Sequence, residues 1–537
     1  MSSEPREFKM GNLRGIIDPD SGQLRYLRVG NHELLRGIYG SVRRPDWGTV
    51  IPKTEEFELA VKRNSFRCTF VAHHKDDKMD FSWRGTITGK LVDETHVEIE
   101  YTFEGTVEQD TQTNRLGLCL LHPSALQGTP VEIEHQKDSC EMMIFPKLIK
   151  PDQPFKDTKA ISYEVKKGIG IRIELYGDGF ETEDQRNYGD ASYKTYCHPQ
   201  EWGSPYKVEK GKVIHQRAKL TISTTGFTDE KEMLKPTVGD LPSLGTLFNR
   251  NFAIPEMEPL QNMGFTHAQA NTEGTESAKL IGGPVFMQTQ VAFIPVSFSP
   301  NDGILFSPSR DWQKLNGVRG ARKFIHAKSW FIEMNGARPH FDEINGVALG
   351  LQPKTHQFDT ETMMECAWTI PDQVETARSI GATTGIVGPI RLSDTPDERT
   401  NGIEAALFTL ASVVNAVKCK ADYLTIFDAE ALANSPASLV IHLLAERSSN
   451  KVRVWDIDAQ FVMIECGRLI LANLSWEPTD HFKLVDFDSA DNLQVGIKGD
   501  HRVFEKGNVA DWREILAKPS KHGILDALPP RSIVVLG

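Results

Sequence analysis

Short runs in which apolar and polar residues alternate fill the first part of the chain, at 23–29, 56–61, 65–72, 79–87 and 97–103. Turn residues separate them at near-regular intervals, and helical periodicity is nearly absent before Asp229. A period of two with frequent turns predicts an antiparallel β-sandwich. Phe145-Pro146 and the prolines at 151 and 154 mark a long irregular crossing. Trp47 and Trp83 are expected as core anchors. His122 ends the apolar run LCLLHP and reads as a hydrogen-bonded structural residue rather than a catalyst.

Beyond residue 236 the pattern changes. Strand-like runs at 245–248, 266–270, 291–298, 328–332, 346–351, 384–390 and 423–427 alternate with helical ones. The stretch 359–380 reads as a helix after an Asp-Thr start, and 401–418 as a helix apolar all round, hence buried. Alternating βα units predict a parallel barrel whose site lies at the C-terminal ends of its strands. The runs 438–445, 452–456, 460–465, 468–474, 482–486 and 532–536 are again strand-like. The predicted fold class is therefore multidomain, α/β and all-β. A β-sandwich spans 1–235, a TIM-like (β/α) barrel 236–435 and a C-terminal β-sandwich 436–537. The middle segment is short for such a barrel, and the shortage lies between Ala270 and Ser309. Fewer than eight complete βα units, and so an incomplete barrel, are expected.

One stretch fits neither period: GDGFETEDQRNYGDASYKTY, 177–196. It interleaves five acids and two bases with four aromatic residues, and reads as mostly loop. Its rings would pack down while its charges face a cleft at the barrel's C-terminal end. The alternative is an ion-pair cluster that pins a domain interface.

Composition narrows the function classes. The length of 537 residues suggests roughly three domains. A net charge of −12 without a basic block speaks against nucleic-acid partners. No apolar run is long enough to span a membrane, and MSSEPREFKM lacks the apolar core of a signal peptide. Seven cysteines without CxxC spacing read as reduced thiols in a cytoplasmic protein.

The segments RPDWGTV (44–50), DFSWRGTITG (80–89), NRLGLCLLHP (114–123), FPKLIKPDQPF (145–155) and FETEDQRNYGDASYKTYC (180–197) resemble the D-apionate lactonase family throughout the first domain. WFIEMNGARP (330–339), LGLQPKTHQFD (349–359) and YLTIFDA (423–429) carry its pattern in the second. The resemblance implies a sandwich, a TIM-like barrel and a small β-domain in that order. It also implies hydrolysis of D-apionolactone to D-apionate. At the last barrel strand the family's carboxylate reads as Glu, where this chain offers Asp428 with Glu430 two residues on.

Opening a lactone requires an activated water, donors for the tetrahedral oxyanion and an acid for the leaving alcohol. No G-x-S-x-G elbow and no H-E-x-x-H motif occurs, so neither a covalent serine nor a metal or other cofactor is indicated. The catalytic candidates at strand ends are Glu333, His356, Asp359 and Asp428. Glu333 or His356 would be the base, with Asp359 orienting the histidine. The competing structural readings make Asp359 a helix N-cap, His356 a cap contact and Glu333 a partner of Arg338. Glu183, Asp184, Arg186, Asn187 and Lys194 match the family motif and are the substrate-binding candidates, joined by Asn335. Arg186, Lys194 and Asn335 are the expected oxyanion donors. The expected partner is a small-molecule sugar lactone or carbohydrate. The alternatives are a glycoside hydrolase acting on plant or algal carbohydrate and a non-catalytic carbohydrate-binding relative.

Overall fold

The computed structural model describes residues 4–228, 233–288, 299–307, 321–341, 344–353, 359–392, 399–447, 449–457, 459–485, 497–505 and 509–536. The chain divides into two compact units, Met1–Gln185 with Ser192–Glu230, and Arg186–Ala191 with Lys231–Gly537.

The first unit is built on two large antiparallel sheets. One has seven strands in the order Arg6–Met10, Leu13–Ile17, Leu24–Val29, His32–Arg43, Arg115–Pro123, Ser192–Cys197 and Phe180–Asp184. The other has nine, with Val213–Thr224, His96–Val107, Asp80–Leu91 and Ser65–Lys75 among its central members. Strict alternation puts Phe66, Cys68, Phe70 and Ala72 of one strand, and Phe81, Trp83 and Ile87 of the next, on one buried face. Trp83 stacks on Phe103 with centroids 4.3 Å apart and meets Phe70 edge-on at 5.2 Å. Ile38, Leu118 and Leu120 join the same core from the seven-stranded sheet. Cutting Trp83 back to Ala empties the centre of this layer. Its expected cost is about 3–5 kcal/mol, checked by denaturant titration.

Two expectations for this unit are corrected. Trp47 is no core anchor: it is 48% exposed in the turn after the strand His32–Arg43, with the Arg115 guanidinium 5.0 Å from its ring centre. The stretch 177–196 is not mostly loop. It is a hairpin of strands Phe180–Asp184 and Ser192–Cys197 around a 3₁₀ turn, Gln185–Tyr188. Its charges broke the apolar period because they are buried there and held by partners, a pattern that periodicity does not register. His122 is structural, with Nδ1 3.0 Å from Tyr163 Oη and Nε2 2.9 Å from Thr195 Oγ1.

The second unit contains eight parallel strands that close into a barrel. They are Ser243–Phe248, His267–Ala270, Val285–Gln288, Gly303–Phe306, Arg322–Ala327, Gly346–Leu351, Thr384–Ile390 and Tyr423–Asp428. Closure is made by Ser243–Phe248 pairing parallel to Tyr423–Asp428. Closure with eight strands corrects the expected open barrel, whereas the segments that would complete the βα units after Val285–Gln288 and Gly303–Phe306 lie largely outside the described residues. The supposed deficit holds two strands of four residues each, VFMQ (285–288) and GILF (303–306), too short to carry a period. The strand expected at 291–298 lies outside the described residues. The one expected at 328–332 is displaced: the strand runs Arg322–Ala327, and a helix begins at Ile332. Phe286, Leu305, Phe324, Ala348 and Ile386 meet inside the barrel, so its centre is a packed core.

The predicted helix 359–380 forms as Thr360–Glu365 and Thr369–Ser379 around a 3₁₀ turn, and 401–418 as Ile403–Lys418. The latter helix is buried on nearly every side because it packs on Thr369–Ser379 and also on the C-terminal sheet. Among the described residues six C-terminal strands and, at the edge, Thr237–Asp240 from before the barrel form one seven-stranded antiparallel sheet. Two strands expected there are corrected. Residues 438–445 belong to the helix Ala437–Ala445, and His481–Leu484 is a 3₁₀ turn. An eight-residue apolar run reads alike as a buried strand or a buried helix. Among the described residues, no helix is long and apolar enough to cross a membrane.

Burial holds four histidines neutral. The pKa of His74 is lowered to about 4, and those of His122, His267 and His326 to about 3, with desolvation the leading cause in each. The unfolded chain binds protons at these sites near pH 6.5, and the folded chain only far below it. Their contribution to stability is thus complete above pH 6.5 and lost as pH falls toward the folded values. Each adds a slope of up to about 1.4 kcal/mol per pH unit. Thermal melts from pH 7.5 down to 5 should show a steady fall, shallower in a His122→Asn variant.

Candidate active site

The C-terminal ends of the first and last barrel strands enclose a cavity of about 340 Å³. Its chemistry comes from Asn249, Arg250, Asn401, Asp428, Glu430 and Asn434, with Leu247 and Phe252 as apolar walls. Asp428 ends its strand and is 34% exposed. Arg391, the first residue after Thr384–Ile390, donates to Asp428 Oδ1 from Nη2 at 3.1 Å and from Nε at 3.3 Å. Both bonds fall on one oxygen, so the carboxylate is oriented with Oδ2 outside the pair. The preceding residue, Phe427, has φ +46°, left-handed backbone that a bulky side chain rarely adopts. Thr246 Oγ1 donates to its carbonyl at 3.0 Å and holds it. Such held strain gathers at functional positions.

Arg250 lines the same cavity. It pairs with Glu256 at 3.0 Å and Glu430 at 3.5 Å, and its guanidinium lies 4.0 Å over Phe252. It donates hydrogen bonds to these carboxylates, which raise its pKa, and the two ion pairs hold its cation at the cavity wall. Beneath it runs a chain of amides and hydroxyls inside the barrel. Gln288 Nε2 donates to Gln269 Oε1 at 3.2 Å, and Gln269 Nε2 donates to Thr425 Oγ1 at 2.8 Å and Gly388 O at 3.2 Å. His326 points inward two residues beyond the core residue Phe324. Its Nε2 is buried without a partner among the described residues. Among the described residues, no three of His, Cys, Asp and Glu converge as metal ligands would.

Of the residues singled out from the sequence, Asp428 is in this cavity. His356 lies outside the described residues. Asp359 caps Thr360–Glu365, accepting from Thr362 N at 2.8 Å and Thr362 Oγ1 at 2.9 Å. Replacing it with Ala should cost about 1 kcal/mol in denaturant titration, the usual value of a lost N-cap. Glu333, in the first turn of Ile332–Ala337, accepts from Trp330 N at 3.3 Å. Asn335 is buried and donates to Asn187 Oδ1 at 2.8 Å. Arg186 is buried against Asp372 at 3.0 Å, and its carbonyl accepts from Gln373 Nε2 at 3.0 Å. Glu183 and Lys194 sit directly opposite each other in the hairpin. Burial raises the Glu183 pKa against the lowering effect of Lys194 and Arg115, and Gln185 Nε2 donates to it at 2.6 Å. Asp184 points to the other face and accepts from Lys150 N at 3.1 Å.

Arg250, Arg391 and the three asparagines were not anticipated. Asn249, Arg250 and Arg391 follow directly on the predicted strands 245–248 and 384–390. The rule that selected Asp428 would therefore have found them.

The chain thus combines sandwich-like antiparallel sheets with a closed eight-stranded parallel barrel that has a polar cavity at its strand ends. Residues 1–225 match the D-apionate lactonase N-terminal domain. The D-apionate lactonase of Brucella anthropi is 34% identical over 262 residues, which is 48% of this chain. That match spans only 41% of the length of the relative. Among solved structures, a 4-O-α-L-rhamnosyl-β-D-glucuronidase from Fusarium oxysporum has a TM-score of 0.32 at 10% identity, covering 56% of this chain and 97% of its own. A galactose mutarotase-like protein from Lactobacillus casei has a TM-score of 0.27 at 9% identity, covering 41% and 99%. At these scores neither carries an argument about the site.

Proposed function

We propose that the chain is a lactonase-type hydrolase that opens a sugar-acid lactone of the D-apionolactone kind to its aldonate, with the reaction in the mouth of a TIM-like barrel. The division at 1–235, 236–435 and 436–537 belongs to the same reading, with the N-terminal sandwich and the C-terminal β-sheet segment as accessory domains. The observation that carries it is the oriented carboxylate of Asp428 in one cavity with the fixed cation of Arg250. The kinship of the first domain supports the reaction class.

In this reading Asp428 Oδ2 takes a proton from water as the water oxygen bonds to the lactone carbonyl carbon. Negative charge grows on the carbonyl oxygen, where Arg250 and the amides of Asn249 and Asn401 are the available donors. The ring C–O bond then breaks, and the leaving alkoxide takes the proton from Asp428. Water has been added across one bond, and the carboxylate returns to its starting state. Arg391 keeps Asp428 aimed throughout.

Glycoside hydrolysis is kept as a second reading because two carboxylates, Asp428 and Glu430, line the same cavity. The carbohydrate-binding reading rested on an incomplete barrel, and closure of the barrel removes that ground. The test is a panel of sugar lactones followed by pH-stat and of aryl glycosides followed by absorbance, each with and without chelator. Turnover of a lactone alone supports the proposal. Turnover of a glycoside alone replaces it, and no turnover of either class rejects both.

A further inference from the structure

A second cavity, of about 280 Å³, lies wholly within the first unit and has no part in the barrel-mouth reading. Its walls are Trp202, Gln136, Asp157, Asp178, Glu181 and Glu201, closed by Gly179 and Pro199. Trp202 ends the 3₁₀ turn Gln200–Trp202 and is 56% exposed. It is nevertheless fixed. A Cβ on Gly179 would stand 2.6 Å from the ring atom Cη2, so the indole rests on backbone that only glycine leaves bare. His198 meets the same ring edge-on at 5.5 Å and is itself stacked on Tyr206 at 3.6 Å. Its bare face, held in place beside a polar cavity, is available for a ligand ring to stack on.

The polar groups around it are also set in place. Asp178 accepts from Gly179 N at 2.8 Å and from Gln216 Nε2 at 3.1 Å. Glu181 Oε1 accepts from Tyr196 Oη at 2.6 Å and from Gln200 N at 2.8 Å. Gln136, Asp157 and Glu201 are exposed at the rim and add an amide and two carboxylates. A flat aromatic face beside oriented acceptors matches one chemistry closely. The C–H edges of a sugar ring lie on the indole, while its hydroxyls donate to carboxylates as charge-assisted bonds. The volume is at the lower end for ligand sites, that of a single ring. Four carboxylates on the walls repel an anion, which excludes the aldonate that the barrel mouth would release.

We propose that this cavity binds one neutral sugar ring, stacked on Trp202 and hydrogen-bonded by Asp178, Glu181 and Glu201, at a site separate from the barrel mouth. The experiment is isothermal titration of the full chain with D-glucose, D-galactose, D-xylose, D-gluconate and choline. It is repeated on Trp202→Ala and on Glu201→Gln, a rim change that leaves the fold's packing untouched. Saturable binding of at least one neutral sugar is expected. Trp202→Ala should weaken it about tenfold or more and Glu201→Gln several-fold, with turnover of any lactone substrate unchanged. The proposal is overturned if no neutral sugar binds, if both variants bind as the parent does, or if D-gluconate or choline binds more tightly than every neutral sugar. Because the readout is binding in the first unit, failure of the lactonase reading leaves it standing, and the reverse holds too.

Discussion

Asp428→Asn should lower kcat on the best lactone substrate by about 10²–10⁴-fold, the range for loss of a general base. The substitution keeps the shape of the side chain and an oxygen for Arg391, so the melting temperature should change little. KM should also change little, because the carboxylate acts on water rather than on the sugar. Asp428→Glu is the informative companion. The family resemblance places Glu at this strand end, so the longer acid should keep activity within about tenfold of the parent, whereas the isosteric amide does not. Arg391→Met leaves Asp428 charged but no longer aimed. Its expected loss is smaller and falls on kcat more than on KM. Glu430→Gln separates the two hydrolytic readings. Lactone opening uses one carboxylate and should be nearly indifferent to it, whereas glycoside hydrolysis by a carboxylate pair would lose most of its rate. Full lactone activity in Asp428→Asn would reject the base assigned here.

How far the sequence disclosed this site depends on which physical signal each part carries. The sandwich was legible because one face of each long strand is core and the other is not, so Phe66, Phe70, Trp83 and Phe103 repeat at period two. The barrel strands at 346–351, 384–390 and 423–427 were legible as apolar runs between helices. VFMQ and GILF were not, because four residues hold too little pattern, and Arg322–Ala327 was hidden by its own charges. The helix Ala437–Ala445 has seven buried residues, so no polar stripe marks its period. Asp428 was found by its place at a strand end. Arg250 and Arg391 stand at equivalent places, but a lone arginine after a short strand carries a weaker pattern than the charge-rich hairpin. Dense charge there drew attention to 177–196, yet charge density cannot tell a cleft from a buried network. Only the partners do so, and for Arg186 they include the buried carboxylate of Asp372.

That pair yields a stability effect as large as the one expected for Trp83→Ala. Arg186 and Asp372 are both almost fully removed from water, 3.0 Å apart, and the backbone carbonyl of Arg186 is held by the neighbouring Gln373. Removing one member strands the other charge in a low-dielectric setting, which costs on the order of 3–5 kcal/mol. Arg186→Met and Asp372→Asn should each lower the melting temperature clearly. The double variant Arg186→Met/Asp372→Leu should recover most of the loss, because apolar groups of similar volume need no compensating charge. The same variants decide the role that the sequence pattern suggested for Arg186. As an oxyanion donor its removal would lower kcat in protein that remains fully folded. As a structural ion pair its removal lowers stability, while kcat per folded molecule stays within about twofold of the parent. Melts and active-site-normalised rates on the three variants distinguish the outcomes. A folded, stable Arg186→Met that has lost its turnover would return this arginine to the catalytic site.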